Sequence, residues 1–428
     1  MIVTTSVQFL ETLLESSTRR CRKLHNVARS VVIFDEAQSL PTPILNPLVS
    51  VFRELVDSFG CSVVFSTATQ PAFRRGSGLT EGLKPDELKP ILPPSLVAES
   101  FQKLCRVDYK PELTTPWDWD TLVGRLTEGS YGQGLCVLNT RRHAREVWDR
   151  LRNTVVDKDA VVHLSSAMCA EHRLAVLGTP TNPAPGSVRH RLKTGLPCWL
   201  VSTQVIEAGV DVDFPRVFRA LGPLDSIVQA AGRCNREGAL KDVAGRTIRG
   251  EVVIFQPADE GMPPGLYQTA AGKARTFLGE YTSEQLATDP GVFVRYFGEL
   301  YGVANCDAHS IQSKRKDFQY REVADLARVI DDGGTPVIVP YKSATKWVKR
   351  IQRSRTFDRT LLRRLQRYTV NLRANDLREL QSLGAVTPLF GPDSPLVLDK
   401  SAYEDHLGVV VRGLSPDDFL QFDLKEKT

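Results

Sequence analysis

Val31-Val32-Ile33-Phe34-Asp35-Glu36-Ala37-Gln38 is the stretch on which the reading of the whole chain turns. Four apolar residues with strong strand preference run directly into two carboxylates, the pattern of a buried parallel strand that ends in charge. In open α/β sheets ligands bind beyond that carboxyl end. A strand-terminal Asp followed by Glu suits nucleotide hydrolysis, with Asp35 placed to hold magnesium and Glu36 to orient and deprotonate the attacking water. By itself the pair also fits a plain strand end entering a helix, where acids are favoured by the helix dipole.

Three later stretches add to it. Cys61 to Pro71 is a second apolar strand ending in small hydroxyl residues, with Thr67, Ala68 and Thr69 at its tip. Val201 to Pro215 is a strand running into a polar, Gly-containing turn, and Gln229 to Arg236 places Arg233 and Arg236 three residues apart, on one helical face. In this order the four stretches resemble motifs II, III, V and VI of superfamily 2 helicases. The text Thr4 to Leu14, the run Cys21 to Ser30, Asp35 to Pro41, Thr203 to Asp211 and Gln366 to Leu372 narrow the resemblance to the CRISPR-associated helicases of type I interference systems. Family members combine an HD nuclease domain, two RecA-like motor domains and a C-terminal domain, and they degrade DNA marked by a guide-RNA surveillance complex.

The resemblance implies roles only where residues match. Asp35 is the magnesium ligand and Glu36 the water-activating base, and Thr67, Ala68 and Thr69 couple hydrolysis to strand movement. Thr4, Thr5, Asn139, Thr140 and Thr203 match positions that hold the nucleic-acid backbone. Glu207, Gly209 and Asp211 fall where strand and nucleotide are linked across the cleft. Gln229, Arg233 and Arg236 complete the catalytic set, with the two arginines reaching the γ-phosphate and Arg236 the expected arginine finger. Guanidinium groups suit this because they stay charged and make forked contacts to phosphoryl oxygens. ATP and Mg2+ are the cofactors implied.

One departure stands out. A motor of this class needs a Gly-rich loop with Lys and Ser or Thr to cradle the β- and γ-phosphates, and none is present; Gly265 to Lys273 has Tyr267 where the first glycine belongs. No His-Asp dipeptide exists either, so the family's nuclease signature is missing. The expectation is an α/β chain holding a partial first RecA-like domain (1–105), a complete second one (106–258), both with parallel sheets, and a mainly helical C-terminal accessory domain (259–428). The first sheet is expected to have an open edge and to need a separately encoded N-terminal half.

Composition agrees with a soluble globular protein: 42% hydrophobic and 25% charged residues in 428. No apolar run is long enough to span a membrane and the N-terminus lacks signal-peptide regions, so a cytoplasmic location is expected. The eight cysteines lie no closer than 29 residues apart, which supports neither a zinc knuckle nor a redox pair. Between Lys342 and Arg373 eleven Lys and Arg face one acid, Asp358, a net +10; the rest of the chain therefore sums to −5 under an overall +5. Such a stretch fits an amphipathic helix that meets phosphate, or a solvated helix face.

The function expected is the C-terminal part of an ATP-dependent DNA helicase of CRISPR defence, with single-stranded DNA and a guide-RNA surveillance complex as partners. A non-catalytic DNA- or complex-binding module derived from a helicase is the alternative.

Overall fold

The computed structural model describes residues 1–411 except 77, 130–131, 243, 260, 329–333, 355–358 and 393. Two parallel sheets and one small mixed sheet organise it. In the first, β1 (Val31–Asp35) pairs, among the described residues, with β2 (Ser62–Ser66) alone, in register Asp35 beside Ser66. Helix α1 (Ser6–Leu13), capped by the Thr5 hydroxyl, and α2 (Leu45–Asp57) cover one face through Leu10, Phe34, Leu48 and Phe52. Before α1, Ile2 and Val3 are exposed and belong to no strand, because an extended segment gains its hydrogen bonds only from a neighbouring strand. On α2 the stripe Leu48, Phe52, Leu55 packs inward while Val56 is exposed.

Parallel strands are normally buried on both faces. Here Val31 and Ile33 are 64% and 66% exposed, so the second face of this sheet is bare. What steadies the lobe comes from far along the chain. The segment after Val303 runs back over α2, where Asn46 N–H donates to Cys306 O (3.0 Å), Ala308 N–H to Pro43 O (2.9 Å) and Gln312 Nε2 to Ser50 Oγ (2.9 Å).

The second sheet has six strands, all parallel, in the order β3-β8-β7-β4-β6-β5. They are β3 (Val107–Trp117), β4 (Gln133–Val137), β5 (Val161–Leu164), β6 (Cys198–Ser202), β7 (Arg216–Ala220) and β8 (Gly250–Pro257). Helices α3 (Pro94–Lys103), α4 (Arg141–Thr154), α5 (Ala170–Leu177), α6 (Leu224–Ala231), α7 (Leu266–Glu280) and α8 (Gly291–Val303) lie around it. Strand β3 alternates Val107, Tyr109, Pro111 and Leu113 with Asp108, Lys110 and Glu112; it is an edge strand, which tolerates Pro111 and the register shift between Glu112 and Trp117. Six cysteines are buried and none forms a disulfide.

Beyond 335, four short strands, β9 (Thr335–Ile338), β10 (Thr369–Leu372), β11 (Val386–Pro388) and β12 (Leu396–Leu398), form a mixed sheet in the order β10-β9-β12-β11. With α9 (Ala344–Ser354), α10 (Arg359–Leu365) and α11 (Ala374–Ser382) it builds a separate core that includes Val348, Ile351, Leu361 and Leu365. The unit is seated on the six-stranded lobe. Gly408 lies where a Cβ would be 2.3 Å from Ala167 O, Arg141 Nη2 meets Asp376 Oδ2 at 2.7 Å, and His172 is enclosed. His172 Nε2 donates to Asp405 O (2.9 Å), Nδ1 accepts from the Tyr403 hydroxyl (2.8 Å), and the ring stacks on Tyr341.

Burial pulls the His172 pKa from 6.5 to about 4. The folded form therefore binds fewer protons than the unfolded one, and this histidine's contribution is lost as pH falls below 6.5 toward the folded value. The stability advantage of the native chain over H172Q should shrink by about 1–2 kcal/mol between about pH 7 and pH 5. Melting curves of the two proteins across that range test this, and a constant difference would contradict it.

Candidate functional site

The acids of the first sheet lie at its carboxyl end, as parallel pairing requires. Asp35 accepts from Ser66 Oγ at 3.2 Å. Glu36 follows with φ 55°, a left-handed conformation that disfavours a side chain and is held here by a short turn. Gln38 ties the two strand ends together: its Nε2 donates to Glu36 Oε2 (2.6 Å) while its amide oxygen accepts from the Thr67 hydroxyl. Thr67 Oγ1 in turn accepts from Thr69 N–H (3.0 Å), and the buried Thr69 hydroxyl has no partner. Gln38 is thus a direct bridge between the acidic turn and the hydroxyl turn. No sequence pattern assigned it that place.

On the second lobe the decisive feature is a polar network at the ends of the three central strands β6, β4 and β7. Arg219, fully buried, has Nη2 3.0 Å from Glu207 Oε1 and donates through Nη1 to Asn139 Oδ1 (2.6 Å). Tyr267 from α7 donates to the same Asn139 oxygen (2.7 Å), Asn139 Nδ2 donates to Leu221 O (2.8 Å), and Gln204 Nε2 reaches Asn139 O (3.2 Å). Burial pushes Glu207 up to about 7 against the pull of Arg219, and Asp225 at the start of α6 up to about 6. A charged residue inside the apolar strand Val217-Phe218-Arg219-Ala220 was the available signal for this network, since buried charges are paired.

The side chains of Asn139, Thr140 and Thr203 are buried in this lobe. They are 3%, 2% and 1% exposed, Asn139 has its amide engaged on both ends, and Thr140 caps α4 by accepting from His143 N–H (3.1 Å). A buried amide gives up such bonds only at a desolvation penalty. Thr4 and Thr5 are exposed, with Thr5 committed to the α1 cap.

The arginines divide. Arg233 is buried: its Nε donates to Ile206 O (3.1 Å) and its Nη2 to Glu207 O (2.6 Å), so the backbone of the residue that pairs with Arg219 also holds this guanidinium. Burial pulls its pKa below the usual value, the neighbouring Arg236 charge adds to that, and Asp211, Glu36 and Glu207 oppose it. Arg236 is 44% exposed, its Nε 2.8 Å from Asp211 Oδ1, and its N–H donates to Asp213 Oδ1 (2.7 Å). Gly209 adopts φ +70° in the turn before Asp211, and Gln229 is half-buried on α6. Asp211 and Arg236 are paired beside Arg233 on the second lobe, while Thr4 and Thr5 lie at the start of α1 on the first.

A parallel six-stranded α/β lobe, joined to a second parallel sheet whose strand ends in acid, defines a RecA-like α/β fold. The comparisons with known proteins make it more particular. Residues 130–239 match the family described as CRISPR-associated nuclease/helicase Cas3, C-terminal. The curated Cas3 of Haloferax volcanii is 28% identical over 330 residues, covering 60% of this chain and 35% of that protein. A T. fusca Cas3 structure with ATP aligns at a TM-score of 0.55 and 15% identity, covering 88% of this chain and 51% of that one. A chain from a CRISPR RNA-guided surveillance complex, pre-nicking, aligns at 0.50 and 15% identity, covering 85% and 52%. The chain is similar to part of a Cas3 helicase, spanning about a third of the curated relative and about half of each of these two solved chains.

Proposed function

We propose that this chain is the C-terminal part of an ATP-dependent DNA helicase or translocase of CRISPR defence. The observation that carries the proposal is a parallel strand ending in Asp35, hydrogen-bonded to Ser66, and Glu36, tied to Gln38, in a chain whose six-stranded lobe carries Arg233 and Arg236 on one rim. These groups fit the γ-phosphate end of ATP·Mg2+, whose phosphoanhydride bond would supply the driving force. They do not fit its β-phosphate, since no glycine loop with lysine is present.

Within that limit the residues divide the work. Asp35 would hold magnesium, the Glu36 carboxylate orients and accepts a proton from water, and Arg233 and Arg236 stabilise charge from the opposite lobe. Gln38 fixes the Glu36 carboxylate and passes its position to Thr67. Gly209 and Asp211 shape the turn between the lobes, and Gln229 lines the α6 side. Thr4 and Thr5 are the solvent-facing members of the nucleic-acid set. The bare face at Val31 and Ile33 is the surface that a further N-terminal segment with the phosphate cradle would cover. Single-stranded DNA and a guide-RNA surveillance complex are the partners this reading requires.

Hydrolysis with and without a complementing N-terminal segment is the test. Alone, the chain should bind ATP weakly and turn none over; joined to a segment bearing Gly-Lys-Thr or Gly-Lys-Ser, it should hydrolyse ATP in response to single-stranded DNA. Tight ATP binding by the chain alone would refute the division of the site.

A further inference from the structure

The concentrated positive charge of 342–373 folds into a surface of definite shape. Along α9, Lys346, Lys349, Arg350 and Arg353 occupy positions i, i+3, i+4 and i+7 and are all exposed, while Ala344, Val348 and Ile351 on the other side are buried. Helix α10 adds exposed Arg363 and Arg364 above buried Leu361 and Leu365. The cations thus stand on a rigid apolar base. Residues 355–358, which include Asp358, lie outside the described residues.

Two features decide what such a ridge fits. No large apolar residue is exposed between 342 and 373 among the described residues, and Trp347 is half-buried with its ring edge-on to Tyr368 at 5.3 Å. A protein partner would need aromatic or aliphatic anchors in such a patch, and base recognition in a single strand would need an exposed stacking ring. Neither is offered. What remains is dense, sequence-blind positive charge, which suits phosphodiester oxygens. The α9 helix is about 16 Å long, the axial length over which duplex DNA carries about nine charges. The ridge also adjoins the six-stranded lobe: Arg367, just past α10, pairs with Glu171 of α5 at 2.9 Å.

We infer that the α9–α10 ridge is a nucleic-acid surface that grips the phosphodiester backbone without reading or stacking bases, and so takes duplex and single strand alike. It is independent of the nucleotide cleft, and its test needs no ATP. Fluorescence anisotropy of the full chain with labelled 30-base-pair duplex and 30-nucleotide strands, at about 50 to 300 mM salt, is the measurement. Duplex binding should weaken with salt at a log–log slope of about −4 to −5. The triple variant K349E/R350E/R353E should lose about tenfold or more in affinity and about 3 in slope. A second variant, K346E/R363E/R364E, should show the same kind of loss, with unchanged circular dichroism and melting confirming that both fold.

Unchanged affinity and slope in both variants would overturn the inference. So would a more than tenfold preference for one base composition, or retained DNA binding with loss of binding to polyglutamate, which would assign the ridge to an acidic protein. Failure of ATP hydrolysis in the complemented motor would sink the cleft and leave these results untouched.

Discussion

Replacing Arg219 with leucine is expected to destabilise the chain by about 3–5 kcal/mol, because it strips a fully buried cation from a buried acid and leaves that acid uncompensated. Glu207 is 6% exposed and already pushed up to about 7 by burial, with Arg219 the main opposing influence. Without Arg219 its pKa rises further and the Asn139 and Tyr267 oxygens lose a donor. A carboxyl whose folded pKa is raised from 4.5 contributes stability that is complete below that value and lost as pH climbs toward the folded value. The loss in R219L should therefore be greater at about pH 8 than at about pH 6. Urea unfolding at both pH values checks it, and the double variant R219L/E207L should recover at least half of the loss. If the double variant is as unstable as R219L, the pair is not what Arg219 supports.

The second large effect concerns chemistry. In the protein complemented with its phosphate cradle, E36Q should lower DNA-stimulated ATP hydrolysis by about 10²- to 10⁴-fold, the usual contribution of a positioned general base. Glutamine keeps the shape and the neighbour Gln38, so nucleotide affinity should change by less than about threefold. Turnover and nucleotide binding measured side by side separate the two effects. A variant that loses affinity and rate together would make Glu36 a binding group, and one that keeps its rate would remove it from the reaction.

These two expectations differ in how visible their residues are in the primary structure. Glu36 stands at the end of an apolar run, beside Asp35, and its place at a sheet's carboxyl end follows from strand periodicity alone. The same holds for the parallel strands of the second lobe, whose Val, Leu and Phe runs are continuous because both faces are buried. Arg219 lies within such a run as a charge that must be paired, but its partners come from positions 139, 207 and 267, three other elements of the chain.

Local order, then, was settled by the amino-acid sequence: where strands end in acid, which arginines share a helical face, where positive charge gathers, and that a phosphate loop is lacking. Only the tertiary structure decided that the Asn139 and Thr140 side chains enter internal bonds and Thr203 is buried, that Gln38 joins the two strand ends, and that residues 305–312 brace the first lobe. The physical reason is range. Periodicity and turn chemistry act over a few residues, whereas hydrogen-bond saturation and burial depend on which distant segments the fold brings to the same few ångströms.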